Sequence, residues 1–444
     1  MRVVVVGGGV AGLTAAYLLT GRGHDVTVFE AAPEVGGKLR RLEVGGTIVD
    51  VGAEAMLNRR PEGVELAREL GLDIEHPAVQ SSRIWTRGAL RPLPRSVMGV
   101  PVDLPALQAS GVLSEAGLAR VRAEQPGLPV EEDLSVGDLV ASRLGDEVVD
   151  RLVEPLLGGV YAGRARRLSA RATVPQLVAL ATRGPLLDAE LPTSDVPVFA
   201  GLPGGMAGLT DALAARVVVR TGATVRELAR TEDGFAVVLG PTTAPERVLT
   251  DAVVLATPAA PTARLLAEVV PAAAAELADL EYASMAVVTL AFRAPDVNGL
   301  DESSGFLVPP VDGRAIKAST FSFAKWNWVR TAGSEHGVVH LRTSLGRYGE
   351  EATLQRSDEE LVSASLGDLA EAVGITATPI DSQVQRWGGG LPQYAVGHLD
   401  RVARIRQAVA TVPGLELCGA AYDGVGIPAV IGSATAAAKG FTLD

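Results

Sequence analysis

Cysteine occurs once in 444 residues, at position 418. A single thiol excludes an intramolecular disulfide and any cysteine-based metal site. Histidine is nearly as scarce, with five copies: His24, His76, His336, His340 and His398. Only His336 and His340 are close, and the Gly337-Val338-Val339 between them reads as strand. Two histidines at i, i+4 share a face on a helix, so the pair does not predict a metal centre. Aromatic residues make up only 4% of the chain, too few to build an aromatic cage easily. Lysine is rare, and acids outnumber bases to give a net charge of -12. That excess of one sign disfavours nucleic acid and gives no broad attraction to an anionic membrane. No stretch is biased enough to read as low complexity.

Charge is also missing locally, from Val3 to Gly21 just after Arg2. The run resembles a signal peptide or membrane span in hydropathy alone. Its glycines divide it into strand and helix, so neither reading holds. With 47% hydrophobic residues, the chain can bury the cores of two or three domains. These features fit a cytoplasmic enzyme with no transmembrane segment.

The same N-terminal stretch carries the strongest positive signal. Val3 to Val6 are four β-branched residues, the pattern of a fully buried strand. Gly7, Gly9 and Gly12 then form G-x-G-x-x-G. Leu13 to Leu19 reads as helix, Val26 to Phe29 as a second buried strand, and Glu30 ends it. Strand, glycine turn, helix, strand and acid in that order form a dinucleotide-binding fingerprint. Gly7 permits the tight turn, Gly9 lets backbone approach a pyrophosphate, and Gly12 with Ala16 lets helix sit close to strand. The helix N-terminus offers free N–H groups to the phosphate. Glu30 can accept hydrogen bonds from a ribose.

A second glycine turn follows at Gly36-Gly37, with Arg40 nearby to pair with a pyrophosphate. Nicotinamide enzymes do not need this second cradle; two-dinucleotide flavin enzymes characteristically have it. Asp50-Val51-Gly52-Ala53-Glu54 is a further small-residue turn, where a planar ring could lie against backbone. Residues 58 to 71 read as a turn entering a helix, with Val64, Leu66, Ala67 and Leu70 apolar. Arg59 and Arg60 stand at its start, an unfavourable place for cations. They are either solvated or useful to an anion.

Residues 84 to 190 read as an insertion: a ribbon over Trp85 to Leu93, then helices at 103–111, 114–124, 135–144 and 146–157. Arg164, Arg166, Arg167 and Arg171 cluster after them, as a solvated face or an anion site. Gly201 to Val217 is a glycine turn running into a helix. Strands at 217–220, 223–228, 234–239 and 251–256 then predict a three-stranded meander returning to a parallel sheet. Val225 is a candidate to pack on an adenine ring. Strands at 286–292, 305–308, 315–323 and 337–344 predict an antiparallel sheet, followed by a helix over 358–373 and a strand over 383–387. At the C-terminus, a strand over 414–420 meets Asp423-Gly424-Val425-Gly426-Ile427-Pro428 and a helix over 429–439. That helix start suits the electron-rich end of an isoalloxazine. Cys418 reads as a buried small apolar residue rather than a covalent flavin attachment point.

The fold class expected is α/β. A Rossmann-like FAD-binding domain of the two-dinucleotide-binding type is discontinuous, built from 1–83, 191–265 and 380–444. A mainly helical insertion covers 84–190, and an antiparallel-sheet substrate domain covers 266–379.

PLLGGVYAG (155–163), LSARATVP (168–175), GLPGGMAGL (201–209), FSFAKWNW (321–328), LPQYAVGH (391–398) and GVGIPAVIGSA (424–434) carry a more specific likeness. With the N-terminal fingerprint they make the chain resemble, along essentially its whole length, the protoporphyrinogen/coproporphyrinogen III oxidase family of FAD-dependent enzymes in the amine-oxidase superfamily. The bacterial coproporphyrinogen III oxidase branch is the most similar. The resemblance implies that FAD is held by Gly7, Gly8, Gly9, Gly12, Glu30, Ala31, Gly37, Lys38, Arg40, Gly52, Ala53, Glu54, Ala55, Val225, Trp387, Val425, Gly426 and Ile427. It places Arg59 and Arg60 near the substrate, where arginines suit propionates. Two departures stand out. Gly52-Ala53-Glu54-Ala55 replaces the family's Gly-Pro-Asp/Glu-Ser, and Ala324-Lys325-Trp326 replaces its Ser-Lys-Trp.

The activity implied is oxidation of coproporphyrinogen III to coproporphyrin III in haem biosynthesis, a six-electron process with O₂ as acceptor and H₂O₂ as product. No general base stands out in the sequence. Transient contact with a ferrochelatase follows from the pathway. Three other readings remain: oxidation of protoporphyrinogen IX, amine oxidation or desaturation within the superfamily, and a non-catalytic flavin or porphyrin carrier.

Overall fold

The structure is a computed structural model describing residues 1–124, 132–187, 189 and 196–441. Its centre is a five-stranded parallel sheet. The strand order is Val218–Arg220, Asp25–Phe29, Arg2–Val6, Ala252–Leu255, Leu415–Leu417. Alternation in the first strand explains why it carries four apolar residues in a row. Val3 and Val5 face one core, with helices Val10–Gly21, Pro61–Glu69, Ala207–Ala214 and Ile427–Lys439. Val4 and Val6 face the other, with the meander and helices Ala259–Leu266, Pro271–Ala278 and His398–Val409. A parallel sheet covered on both faces has no polar side. The meander is Val225–Thr231, Gly234–Leu239 and Glu246–Thr250, all antiparallel, and the chain then returns to the parallel sheet. The parallel sheet draws its strands from residues 2–29, 218–255 and 415–417, while Asp381–Pro392, expected with the nucleotide-binding segments, lies in the second sheet.

The second sheet has seven strands, in the order Asp381–Pro392, Tyr282–Arg293, Val338–Leu345, Ile316–Thr320, Gly305–Leu307, Arg83–Thr86, Ala89–Pro92. All pairs are antiparallel except Gly305–Leu307 with Arg83–Thr86. The sheet thus takes in the 83–92 ribbon and the 381–392 strand besides the strands between residues 282 and 345. Ala286, Val288 and Leu290 pack with Leu361 and Leu369 of the capped helix Asp358–Val373. Met285 and its neighbours at two-residue spacing face the opposite way, toward the nucleotide-binding unit.

The strand expected over 315–323 stops at Thr320, and two short helices, Ser322–Lys325 and Asn327–Glu335, follow. Phe321, Phe323 and Ala324 are all buried there, and so short an apolar run does not separate strand from helix.

The insertion is helical, as its periodicity implies: Leu104–Ser110, Glu115–Arg122, Val136–Leu144 and a segment from Asp146 to Tyr161 that passes through a π turn at Val149–Val153. Ser114 and Ser135 cap two of these helices by accepting from Gly117 N and Asp138 N. Arg143 is buried inside and paired with Glu124 at 3.0 Å. No helix among the described residues is long and apolar enough to cross a membrane.

Candidate flavin site

Gly7 sits at φ 109, and a Cβ on Gly12 would lie 1.9 Å from Gly7 O. Both positions therefore require glycine. Gly9 caps helix Val10–Gly21 without any side-chain hydrogen bond to its first turn. The exposed N–H groups and the helix dipole face the same point, a seat for an anion. Gly36 N donates to Gly8 O at 2.9 Å, and a Cβ on Gly37 would lie 3.3 Å from the Gly9 Cα. The second glycine turn therefore packs directly on the first.

Glu30 accepts from Gly8 N at 2.6 Å and Ala32 N at 2.7 Å. These bonds fix the carboxylate at the mouth of the turn. Ala31 lies between, exposed. Glu30 O also accepts from Ala223 N at 2.8 Å, which brings Val225 alongside. Glu30, Ala31 and Val225, expected from the sequence beside a dinucleotide, thus lie close to the first glycine turn.

At the other end, Gly52 closes on Lys38: a Cβ would be 2.0 Å from Lys38 O and 3.2 Å from Trp387 Cζ2. Val51 N and Gly52 N donate to Arg40 O at 2.9 and 3.3 Å, and Ala53 N donates to Lys38 O at 3.1 Å. The Lys38 side chain has solvent-exposed surface, but neighbouring protein partly desolvates its ammonium and lowers its pKa. From the C-terminal side comes helix Ile427–Lys439, with Gly426 as its cap and again no side-chain bond to its first turn. Val425 leans toward the helical insertion.

Beneath this loop lies an ion triad. Glu54 bonds Lys325 Nζ at 2.6 Å and Arg342 at 2.7 Å, and Arg342 also donates to Gly52 O at 2.6 Å. Side-chain exposures of 14%, 15% and 12% mark the group as largely desolvated. Burial alone would raise the Glu54 carboxyl; Lys325 and then Arg342 outweigh it and hold it at about 2. Nearby Asp50 accepts from Met206 N at 3.0 Å, and burial pushes its carboxyl up to about 7.

Of the residues named from sequence, Gly7, Gly8, Gly9, Gly12, Glu30, Ala31 and Val225 lie around the first glycine turn. Gly37, Lys38, Arg40, Gly52, Ala53, Glu54, Ala55 and Trp387 lie on or beside the second turn and the Gly52 loop, and Val425, Gly426 and Ile427 form a helix start. Arg60 caps helix Pro61–Glu69 and pairs with Glu62 at 2.7 Å; Arg59 is exposed beside it. The second arginine cluster is internally paired. Arg166 bonds Asp146 and Asp150, Arg167 bonds Glu281, and Arg164 donates to Tyr348 O. Cys418 is fully buried, with burial first among the causes that raise its thiol to about 12. His340 bonds Val44 O, and no group of three or more His, Cys, Asp or Glu suited to a metal occurs among the described residues.

A family model described as flavin containing amine oxidoreductase matches residues 10–440. The chain belongs to this family. Its flavin is FAD, and the glycine cradle and bare helix starts fit that group. The coproporphyrinogen III oxidase of Mycobacterium tuberculosis is 39% identical over 97% of this chain and 95% of its own length. That of Bacillus subtilis is 30% identical over 98% and 97%. A crystal structure from Exiguobacterium, provisionally assigned as a protoporphyrinogen oxidase, is similar at a TM-score of 0.86 and 31% identity, covering 99% of this chain and 98% of that one. The flavin-dependent oxidoreductase reading is thus shown from both sequence and fold. Lys325 and Arg342 complete the loop support. Lys325 lay within a noted motif, and Arg342 had no local signal.

Proposed function

We propose that this protein oxidises coproporphyrinogen III to coproporphyrin III in the cytoplasm, with O₂ as acceptor and H₂O₂ as product. The observation that carries the reading is the 39% identity, over nearly the full length of both chains, to a coproporphyrinogen III oxidase. The single cysteine supports a reducing compartment.

When bound, FAD supplies a two-electron acceptor that O₂ reoxidises; a six-electron oxidation therefore takes three rounds. The chain's residues bind and orient. The Gly7–Gly12 turn and its helix start hold the pyrophosphate, and Glu30 holds the ribose. Gly52, pinned by Arg342 and backed by Trp387, would help hold the flavin. Glu54 with Lys325 and Arg342 keeps that loop from shifting, because the triad ties it to the Val338–Leu345 strand. Arg59 and Arg60, just beyond the loop, bind substrate propionates, with Arg60 released from Glu62 as it does so. The helical insertion covers the macrocycle and excludes water. The porphyrin product then passes to ferrochelatase through a transient contact.

The test is to mix the purified yellow protein with coproporphyrinogen III and protoporphyrinogen IX side by side. Porphyrin fluorescence and peroxide are followed. Strong preference for coproporphyrinogen supports the reading, and preference for protoporphyrinogen favours the second reading, which the Exiguobacterium likeness supports. Bound porphyrin without peroxide would leave a carrier.

A further inference from the structure

Burying a charge is costly unless a partner of opposite sign offsets it. In the helical insertion, Arg143 and Glu124 obey this: one charge of each sign, at 4% and 3% exposure. The triad at the Gly52–Ala55 loop does not. Glu54 contributes one negative charge, and Lys325 and Arg342 contribute two positive ones, on side chains only 12–15% exposed. The sum is one positive charge.

That charge is held in place. Glu54 gives one carboxylate oxygen to each cation, at 2.6 Å to Lys325 Nζ and 2.7 Å to Arg342. The Lys325 ammonium also stands 5.4 Å from the centre of the Phe199 ring and 5.3 Å from that of Trp326, and aromatic faces attract a cation. Arg342 uses one nitrogen on Glu54 and another on Gly52 O at 2.6 Å. Its buried Nε finds no hydrogen-bond partner among the described residues.

The other charged groups beside the loop do not restore the balance. Asp50, on the strand leading into the loop, is 4% exposed and accepts from Met206 N at 3.0 Å. It forms no ion pair with Lys325 or Arg342. Burial, which raises its carboxyl to about 7, opposes the ionisation that would complete the balance. Lys38, whose carbonyl lies against Gly52, can only add positive charge.

An unbalanced cation favours the more negative state of whatever binds beside it. The ring of oxidised flavin is neutral. A hydride brings two electrons and one proton, so the ring that accepts it gains one negative charge. We propose that the excess positive charge of Lys325–Glu54–Arg342 raises the reduction potential of the bound FAD, by favouring the reduced anion over the neutral oxidised ring. The inference rests on the flavin reading above and holds for either porphyrinogen. A higher potential strengthens the pull on hydride, which an oxidation in three rounds needs each time.

The test moves the charge sum in both directions. FAD-loaded wild type, Lys325→Met, Lys325→Arg, Glu54→Gln and the double variant Lys325→Met/Glu54→Gln are titrated anaerobically with dithionite against reference dyes at pH 7. A unit charge about 10 Å away, at an effective dielectric of about 20, changes an equilibrium by roughly 10-fold. For a two-electron couple that is about 30 mV. Lys325→Met leaves a neutral pair and should lower the potential by about 30 mV. Glu54→Gln leaves two positive charges and should raise it by a similar amount. Lys325→Arg and the double variant each keep one positive charge and should stay near wild type. A triad that only braces the loop would shift both single variants the same way, or neither; either result overturns the proposal. If Glu54→Gln does not retain flavin, Lys325→Met against Lys325→Arg decides, and equal potentials in those two overturn it. A wild type that takes up no FAD would instead remove the flavin reading, and this inference with it.

Discussion

Replacing Glu54 by glutamine keeps the side chain's shape and removes its charge from the centre of the Lys325–Glu54–Arg342 triad. Two routes give the cost. The Glu54 carboxyl stands at about 2, against an ordinary 4.5; at about 1.4 kcal/mol per unit, the folded state favours the ionised form by roughly 3 kcal/mol. Stranding buried cations by removing their partner costs about 3–5 kcal/mol in comparable sites. Both point to a loss on the order of 3 kcal/mol at pH 7. The pH dependence has a definite sign. A depressed carboxyl contributes its full stability above pH 4.5 and loses it as pH falls through about 2. Glu54→Gln should therefore be less stable than wild type at pH 7, and the gap should narrow below pH 4.5. The triad also pins Gly52 through Arg342, so flavin should be released more readily. Urea unfolding at pH 7 and at pH 4, with flavin retention on gel filtration, measures both effects. Unfolding within about 0.5 kcal/mol of wild type at pH 7, with flavin retained, would refute the argument.

Other sites make independent predictions. Asp50→Asn removes a carboxyl that burial raises from 3.8 to about 7. The wild type therefore loses stability as pH rises across that window, and the variant should be about 1–4 kcal/mol more stable at pH 8, with little difference at pH 4, by urea unfolding at both. Gly12→Ala places a Cβ 1.9 Å from Gly7 O, so the turn must open; the purified variant should be colourless by absorbance near 450 nm, in the flavin band. Arg60→Ala frees Glu62 and leaves the flavin contacts untouched. It should raise KM about 10-fold at unchanged flavin content, and an unaltered KM would remove Arg60 from the substrate site.

The parts legible in the sequence were those whose physics is local. Val3 to Val6 cannot be other than a strand buried on both faces, and the glycines after it serve one turn. The amphipathic periods of 136–144 and 358–373 located their helices because each buries one stripe. What was not legible depends on partners far along the chain. Residues 85–93 read as a ribbon, but its edge pairs with Gly305–Leu307, and nothing local shows that. Glu54 meets Lys325 and Arg342 across 271 and 288 residues. Glu54 reads as part of a small-residue turn and Lys325 as part of FSFAKWNW, and nothing local in either joins it to Arg342.

The central claim is that three distant segments close around one FAD to oxidise a porphyrinogen. The most direct measurement mixes the purified holoprotein with coproporphyrinogen III in air. It records flavin content, porphyrin fluorescence and peroxide together. The account predicts one FAD per chain and three peroxides per coproporphyrin formed. A protein that carries no flavin after reconstitution, or that carries it and forms no porphyrin from either porphyrinogen, would contradict it.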